Sequence, residues 1–188
     1  HFLPSKKTVT TCFNKYATYQ AWSRAGLPQP QTILLHTFKD LKGAFRRFGK
    51  SIWVRAIQGA AGKGSLMASD VNIAKAWVDF HGGWGTFSAA EYLSPQSVTW
   101  QSVWHNGKLI VAQSRKRLYW EFASRAPSGI TGLTGTGVTI SDPALDTTAM
   151  KAIKAIDKKP HGIFSVDLTY DRRGLPNPRP CRRIWQSG

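Results

Sequence analysis

Apolar and polar residues follow two periods along the chain, one typical of helices and one typical of strands. Helical spacing predicts helices over 14–25, over 39–48, from Asp70 onward and from Asp142 onward. Short apolar or alternating runs predict strands over 31–35, 51–56, 66–68, 87–92, 99–104, 108–114, 116–122, 138–140 and 162–170. Asn106-Gly107 predicts a two-residue hairpin turn, and the Gly-, Ser- and Thr-rich segment 129–137 predicts a loop.

A glycine-rich segment joins two of the predicted strands. Its order is strand, loop, strand, which excludes a Walker A loop and a dinucleotide-binding fingerprint because both of those open a helix. Gly59, Gly62 and Gly64 permit backbone conformations that point N–H groups at an anion, and Lys63 adds a positive charge. The segment therefore indicates a phosphate-binding loop, with an ordinary hairpin loop as the alternative.

Two charged residues interrupt apolar strands. Arg55 would be costly to bury unless an anion neutralises it, and its guanidinium matches phosphate oxygens. The alternatives are a carboxylate partner or an exposed position at a strand edge. Asp167 lies within the apolar run IFSVDLTY and needs a cation, a metal or strong donors. Because magnesium prefers oxygen ligands and bridges carboxylates to phosphates, Asp167 is the main metal candidate.

Composition limits the class of protein. The 188 residues, 41% hydrophobic and 12% aromatic, suit one domain or two small subdomains and exclude wholesale disorder. No apolar run approaches the roughly 20 residues that a membrane span needs, so we expect a soluble, cytoplasmic protein. Cys12 and Cys181 favour a reducing compartment, although one long-range disulfide stays open. The first residue, His1, leads us to expect a piece of a longer polypeptide.

The net charge is +16, from 26 Lys and Arg against 10 Asp and Glu. Such a charge fits a polyanionic partner, which can be a nucleic acid or a nucleotide triphosphate. The histidines and cysteines show no metal-ligand spacing, and Gly-x-Ser-x-Gly is absent. These absences argue against a zinc site, a thiol nucleophile and the commonest serine hydrolases.

Four segments in order resemble the ATP-grasp superfamily, most nearly the branch that includes the carbamoyl-phosphate synthetase large subunit. The resemblance spans about Pro4 to Pro176. It rests on Asn14-Lys15 with Gly26-Leu27-Pro28-Gln29-Pro30, on WVRAIQGAAGKGS, on AAEYL and on GIFSVDLTYDRRGLP. It implies an α+β protein with an ATP-grasp fold, in which two α/β subdomains sandwich a nucleotide and the N-terminal substrate domain is absent. We expect subdomains at 1–93 and 94–178 and an atypical basic tail at 179–188.

The resemblance also implies roles for individual residues. ATP would be bound by Lys15, Arg55, Gly59, Gly62, Lys63, Gly64, Glu91, Tyr92, Leu93 and, at the ribose, Ser97. The backbone of 91–93 would contact adenine, although packing of Tyr92 and Leu93 into the core explains the same residues. Asp167 would bind magnesium. Arg117 is the catalytic candidate, from a basic group that also includes Arg115, Lys116 and Arg125 beside the loop 128–137; a basic surface strand is the alternative.

One departure from the family pattern affects the expected activity. The strand after Asp167 should carry a Glu-Ile-Asn type motif, yet no acid follows Asp171, and Arg179 and Pro180 occupy the expected place of the Glu. The resemblance implies a ligase that uses ATP and Mg²⁺ to activate an unidentified carboxylate as an acyl phosphate for a nucleophile. This chain would be a truncated or degenerate version of it. A nucleic-acid-binding module without catalysis and a regulatory nucleotide-binding domain stay open as alternatives.

Overall fold

Helices and antiparallel strands alternate in the computed structural model, which describes residues 2–59, 62, 64–93, 96–131 and 133–169, and 181–185 as backbone. The helices are α1 (Lys6–Phe13), α2 (Lys15–Arg24), α3 (Phe38–Phe48), α4 (Val71–Phe80) and α5 (Pro143–Ile156), with a 3₁₀ turn at Ala123–Arg125. The strands are β1 (Thr32–Leu35), β2 (Ile52–Ala56), β3 (Leu66–Ala68), β4 (Phe87–Glu91), β5 (Ser97–His105), β6 (Lys108–Trp120), β7 (Thr134–Ile140), β8 (Gly162–Thr169) and β9 (Cys181–Trp185).

The chain divides into two compact units. Unit 1 comprises residues 1–29, 93–118 and 136–188, and unit 2 comprises residues 30–92 and 119–135. The predicted division placed residues 1–93 in the first subdomain. In the structure, residues 1–29 belong to unit 1 instead, and residues 119–135 belong to unit 2. Residues 1–29 join unit 1 because Trp22 is buried in its core and donates a hydrogen bond from Nε1 to the carbonyl oxygen of Ala152, 3.0 Å away.

Unit 2 is built on a four-stranded sheet in the order β1-β4-β2-β3. The pairs β1–β4, β2–β4 and β2–β3 are all antiparallel. Helices α3 and α4 pack on the sheet and on each other. Its core contains the fully buried side chains of Leu35, Leu41, Ile52, Val54 and Val78. The strand that carries Arg55, β2, is therefore an interior strand of this sheet.

Unit 1 is built on a five-stranded sheet in the order β7-β6-β5-β8-β9. One face, with Trp100, Trp104, Phe164 and Leu168, is buried in a core that also includes apolar residues of α5. Because side chains alternate along a strand, the intervening residues of β5, β6 and β8 lie on the opposite face. That second face is polar and carries Arg117 and Asp167.

The predicted local signals are confirmed where they can be compared. The side chain of Asn14 accepts hydrogen bonds from the N–H groups of Tyr16 and Ala17, and Asp70 and Asp142 cap α4 and α5 in the same way. Asn106 and Gly107 both have positive φ, 49° and 88°, as a type I′ hairpin turn requires. Capping and turn chemistry therefore place these boundaries correctly.

Four elements differ from the prediction. Helix α1 is unpredicted, β6 is one strand rather than two, and β7 begins inside the predicted loop 129–137. Residues 181–185 form β9, which pairs antiparallel with β8, where a basic tail was expected. Helix α1 has a partner distant in sequence, since Thr8 is buried and donates a hydrogen bond to Asp157 Oδ2 at 2.7 Å.

Two further features concern a cysteine and the lengths of the helices. Cys12 is buried and is a free thiol. Among the described residues, no helix combines the length and the apolar character that a membrane span requires.

Candidate functional site

Arg55 lies inside the sheet of unit 2. It is 8% exposed, follows the fully buried Val54 in β2, and pairs in register with Ser88 of β4. An exposed arginine at a strand edge is therefore excluded. A guanidinium at the end of β2 has the charge and the donor geometry that phosphate oxygens match, so this position is compatible with an anion beside the glycine loop.

The glycine loop follows β2, which ends at Ala56, the residue after Arg55. The φ angles of Gly59, Gly62 and Gly64 are +98°, +69° and +70°, values that glycine adopts without strain. Lys63, the predicted mobile charge of this loop, lies outside the described residues. The loop thus has the backbone freedom that the sequence predicted for phosphate binding.

Two contacts within unit 2 hold the loop in place. A Cβ atom added at Gly62 would lie 1.9 Å from the carbonyl oxygen of Ile130, so only glycine fits against segment 119–135. At the other end, the indole Nε1 of Trp77 donates to the carbonyl oxygen of Gly64 at 3.2 Å. Ile130 was not among the sequence candidates. It contacts Gly62 through its backbone carbonyl, 68 positions along the chain, so its side-chain type gives no indication of the contact.

The predicted adenine segment, 91–93, begins at the last residue of β4. The backbone N–H of Glu91 donates to the carbonyl oxygen of Gln31 at 3.1 Å, and the N–H of Gln31 donates to Glu91 Oε2 at 2.8 Å. Tyr92 is half-buried, with its ring stacked on Trp53 at 6.2 Å between centroids. Leu93 is half-buried and belongs to unit 1. Backbone contact with adenine stays a prediction.

Lys15 is the first residue of α2, where a positive charge is unfavourable for the helix dipole. The neighbouring Asn14 side chain is committed to the helix cap, as both of its acceptor bonds go to backbone N–H groups at 3.0 Å. Binding of a phosphate by Lys15 stays a prediction.

A polar cluster crosses three strands on the polar face of unit 1. Arg117 of β6 donates from Nη1 to Ser97 Oγ at 2.5 Å and from Nη2 to Thr99 Oγ1 at 2.9 Å. Thr99 Oγ1 donates in turn to Asp167 Oδ1 at 2.6 Å, and Arg117 Nη2 lies 3.6 Å from the same oxygen. The side chains of Arg117 and Asp167 are 7% and 15% exposed. The structure therefore brings the catalytic candidate and the metal candidate into one network.

This network includes one predicted residue in an unexpected role and one that the prediction missed. Ser97, the ribose candidate, accepts the hydrogen bond from Arg117. Thr99 was not singled out, although it occupies a polar position in the alternating strand β5 and links Arg117 to Asp167. The period-two pattern of β5 is the signal that could have identified it.

The electrostatics of Arg117 reflect its surroundings. Burial lowers the pKa of its guanidinium, the charge of Asp167 acts in the opposite direction, and the nearby Arg115 lowers it further. Other members of the predicted basic group lie elsewhere. Lys116 is paired with Val98, whose side chain is in the core, and Arg125 belongs to unit 2. Arg115 and Arg117 are thus the two of these four that share the polar face of unit 1.

Asp167, the predicted magnesium ligand, is bonded within the protein itself. Its Oδ1 accepts a hydrogen bond from the hydroxyl of Thr99 and lies 3.6 Å from Arg117 Nη2, and its register partner in β9 is Arg183. Among the residues that the structure describes, no group of three or more His, Cys, Asp or Glu side chains could hold a metal ion. Because magnesium is commonly held by one or two carboxylates together with substrate phosphates, its binding by Asp167 stays a prediction.

No model of a known protein family matches the chain. Among solved structures, the chain is similar to D-alanyl-alanine synthetase A from Vibrio cholerae, with 14% identity and a TM-score of 0.73 over 98% of this chain and 56% of that one. It is also similar to a carboxyaminoimidazole ribonucleotide synthase from Aspergillus clavatus complexed with ATP, with 15% identity, a TM-score of 0.74 and coverage of 96% and 46%. These proteins are ATP-grasp enzymes.

The chain has the ATP-grasp fold. A biotin carboxylase from Campylobacter jejuni, described as a beta-gamma-ATP complex, extends the same likeness with 17% identity and a TM-score of 0.74 over 96% of this chain and 42% of that one. The chain spans about half the length of the solved structures that it matches. The predicted ATP-grasp fold and α+β class are confirmed, whereas the narrower likeness to the carbamoyl-phosphate synthetase branch stays a prediction.

Proposed function

We propose that this ATP-grasp chain is the ATP-binding region of a carboxylate–amine or carboxylate–thiol ligase that works through an acyl phosphate. The observation that carries the proposal is the buried Arg55, placed directly before a loop whose glycines at 59, 62 and 64 all have positive φ. A guanidinium in a low-dielectric site and successive N–H groups suit the oxygens of a triphosphate. The names of two of the similar solved structures state an ATP complex.

The proposed reaction has two steps. A carboxylate oxygen of the donor attacks the γ-phosphorus of ATP, the bond from phosphorus to the β–γ bridging oxygen breaks, and ADP leaves. An amine or thiol then attacks the acyl carbon, inorganic phosphate leaves, and the nucleophile loses its proton. Negative charge moves across the phosphates in the first step. Fixed cations and N–H groups lower its barrier because they are aimed at that charge before the reaction begins.

The residues have separate parts in this proposal. Arg55, Lys15 and Lys63 bind phosphate oxygens together with the N–H groups of the glycine loop, and the backbone of 91–93 contacts adenine. Arg117 stabilises charge on the transferred phosphoryl group. Its guanidinium is positioned for this by Ser97 and Thr99, which both accept its hydrogen bonds.

A nucleic-acid-binding module is not favoured. Base stacking needs exposed aromatic rings, and Trp22, Trp53, Trp100 and Trp104 are buried, with exposed fractions of 8% or less. The exposed rings of Phe13, Phe80, Tyr119 and Phe122 are divided among α1, α4, β6 and the turn that follows it. The net charge is also explained by a nucleotide triphosphate, which is itself a polyanion.

Thermal unfolding with and without nucleotide tests the proposal. At a ligand concentration 100 times the dissociation constant, ATP should raise the free energy of unfolding by about 2.7 kcal/mol, because it binds the folded chain alone. GTP at the same concentration serves as the comparison for adenine. An unchanged melting temperature at saturating ATP, together with salt-dependent binding to nucleic acid, would contradict the proposal.

A further inference from the structure

Helices α3 and α4 form one layer on a single face of the unit 2 sheet. Their buried side chains share a core with Ile52 and Val54 of β2. The two helices also pack on each other, and the ammonium groups of Lys42 and Lys75 lie 4.5 Å and 5.7 Å from the centre of the Phe38 ring. The outward faces of α3 and α4 are therefore adjacent on one surface of unit 2.

The outward face of α3 is basic. Lys39, Lys42 and Arg46 are exposed and follow one another at spacings of three and four residues, so they share one side of the helix. Asp40, the acid of this helix, accepts two hydrogen bonds from backbone N–H groups at the helix start. Within the part of the chain that the structure describes, no carboxylate forms an ion pair with the three cations. This face thus carries uncompensated positive charge.

The outward face of α4 is apolar. Phe80 is 83% exposed and Ile73 is 61% exposed, and both lie on the same side of the helix as the exposed Ala76. The charges of Lys75 and Asp79 compensate each other, since Lys75 Nζ lies 2.5 Å from Asp79 Oδ2. Single exposed apolar residues are ordinary, but two large ones on one helix face, next to a basic face, indicate an interaction surface.

Cations next to exposed apolar side chains match the surface of a bilayer that contains anionic lipid. Its negative headgroups attract Lys and Arg, and apolar side chains of a surface helix enter the headgroup boundary by roughly 5–10 Å. A nucleic acid would use the cations alone and leave Phe80 and Ile73 in water. We propose that the outward surface of α3 and α4 docks this chain on a membrane that contains anionic lipid.

The docking surface and the candidate nucleotide site lie on opposite faces of the unit 2 sheet. Val54 is in the core that the helices cover, and side chains alternate along a strand, so Arg55 projects from the other face of β2. The two sites therefore use different cations. The docking inference does not depend on ATP binding, and either can fail without the other.

Co-sedimentation of the whole chain with lipid vesicles tests the inference. Vesicles of phosphatidylcholine with about 30% phosphatidylserine are compared with pure phosphatidylcholine, at about 0.1 M and about 0.5 M NaCl. We expect binding to the mixed vesicles at low salt, and binding at least about tenfold weaker without phosphatidylserine or at high salt. Saturating ATP should change the binding by less than about threefold, because the sites are separate.

Charge-matched variants locate the contact. Lys39→Glu/Lys42→Glu reverses two exposed lysines three residues apart on α3, and it should weaken binding to the mixed vesicles by more than about tenfold. Lys151→Glu/Lys154→Glu makes the same change at two exposed lysines three residues apart on α5, and its effect should stay within about threefold.

Aromatic variants measure insertion of the apolar face. Phe80→Trp should gain fluorescence quenching by lipids that are brominated on the acyl chains, relative to the parent chain. Phe13→Trp, at a position of α1 that is 59% exposed, is the control and should gain none. Phe80→Ser, at a surface position that the fold does not need, should weaken vesicle binding by about tenfold.

Four results would overturn the inference. The first is an absence of binding to the mixed vesicles, and the second is an equal loss in the two double lysine variants, which would mean that only total charge matters. The third is displacement from vesicles by ATP, which would show that the two sites share their cations. The fourth is binding to a nucleic acid duplex, but not to vesicles, that Lys39→Glu/Lys42→Glu abolishes, which would assign this surface to nucleic acid.

Discussion

The guanidinium of Arg117 reaches across β5 to the carboxylate of Asp167. The hydroxyl of Thr99 lies between them, accepting from Arg117 Nη2 at 2.9 Å and donating to Asp167 Oδ1 at 2.6 Å. Asp167, the metal candidate, is therefore bound to a cation of the protein itself. This relationship links three strands of unit 1 and fixes the guanidinium that we place at the transferred phosphoryl group.

Thr99→Val should destabilise the protein. Valine keeps the shape and the strand propensity of threonine but removes the hydroxyl, so Asp167 and Arg117 each lose a partner in a site that excludes most water. We expect a loss of about 1–3 kcal/mol in the free energy of unfolding by urea denaturation. Thr139→Val is the matched control, since Thr139 is an exposed residue of β7, and its effect should stay below about 0.5 kcal/mol. Equal effects would show that the bridge is unimportant.

Arg55→Ala should weaken ATP binding far more than Lys42→Ala. Arg55 is buried in β2, whereas Lys42 is exposed on α3 with its Nζ 4.5 Å above the ring of Phe38. Removing a desolvated charge-assisted contact costs about 2 kcal/mol or more in binding free energy. Calorimetric titration of both variants measures the difference. Small, equal losses would point to diffuse surface attraction.

Gly62→Ala should be more harmful than Gly59→Ala. Both residues have positive φ, so both substitutions carry a backbone strain of about 1–3 kcal/mol. At Gly62 the new Cβ would lie 1.9 Å from the carbonyl oxygen of Ile130. At Gly59 no other described heavy atom would lie within 4 Å of it. Displacing the backbone at Gly62 should add about 1 kcal/mol or more of destabilisation and weaken ATP binding. Urea unfolding and titration with ATP check the two effects, and a Gly59→Ala variant that is equally impaired would contradict the packing argument.

Cys12 should make the free energy of unfolding decrease as the pH rises above about 9. Burial, with a smaller contribution from Asp157, raises the pKa of its thiol from 9.0 to about 12. The folded state holds this proton more tightly than the unfolded chain does, so the stabilisation is complete below about pH 9 and is lost as pH rises toward 12. At pH 10 the loss should be about 1.4 kcal/mol.

Comparison with Cys12→Ala isolates this contribution from other groups that titrate in the same range. Urea unfolding at about pH 8 and about pH 10 should show the parent chain losing about 1.4 kcal/mol more than the variant between the two conditions. Identical losses in both proteins would mean that the thiol has the same pKa folded and unfolded.

The sequence predicted the local elements well because their causes are local. Asn14, Asp70 and Asp142 each accept hydrogen bonds from N–H groups two or three residues ahead, so the start of a helix is decided within one turn. The Asn106-Gly107 turn follows from the ease with which these two residues adopt positive φ. The position of Arg55 in an apolar strand before a glycine loop was likewise visible in one short segment.

Other features could not be predicted because the groups that make them meet only after folding. The segment Lys6–Phe13 is helical although it includes three threonines and a valine, since Ser5 caps it and Thr8 is buried against Asp157. Strand β9 exists through its pairing with β8, and Gly62 must be glycine because Ile130 is adjacent. The residue types next to each of these positions do not indicate such contacts.

The sequence alone thus determined the helix caps, the hairpin turn and the glycine loop, because each depends on residue types at short, fixed spacing. The ATP-grasp fold was implied by the resemblance of four ordered segments to that family. Only the tertiary structure decided what surrounds Asp167. The sequence showed that a carboxylate in an apolar strand needs a cation, but a metal and a guanidinium satisfy that need equally well. The pairing of β5 with β6 and β8 selected Arg117, because hydrogen bonding between strands brings residues 99, 117 and 167 to adjacent positions on one face.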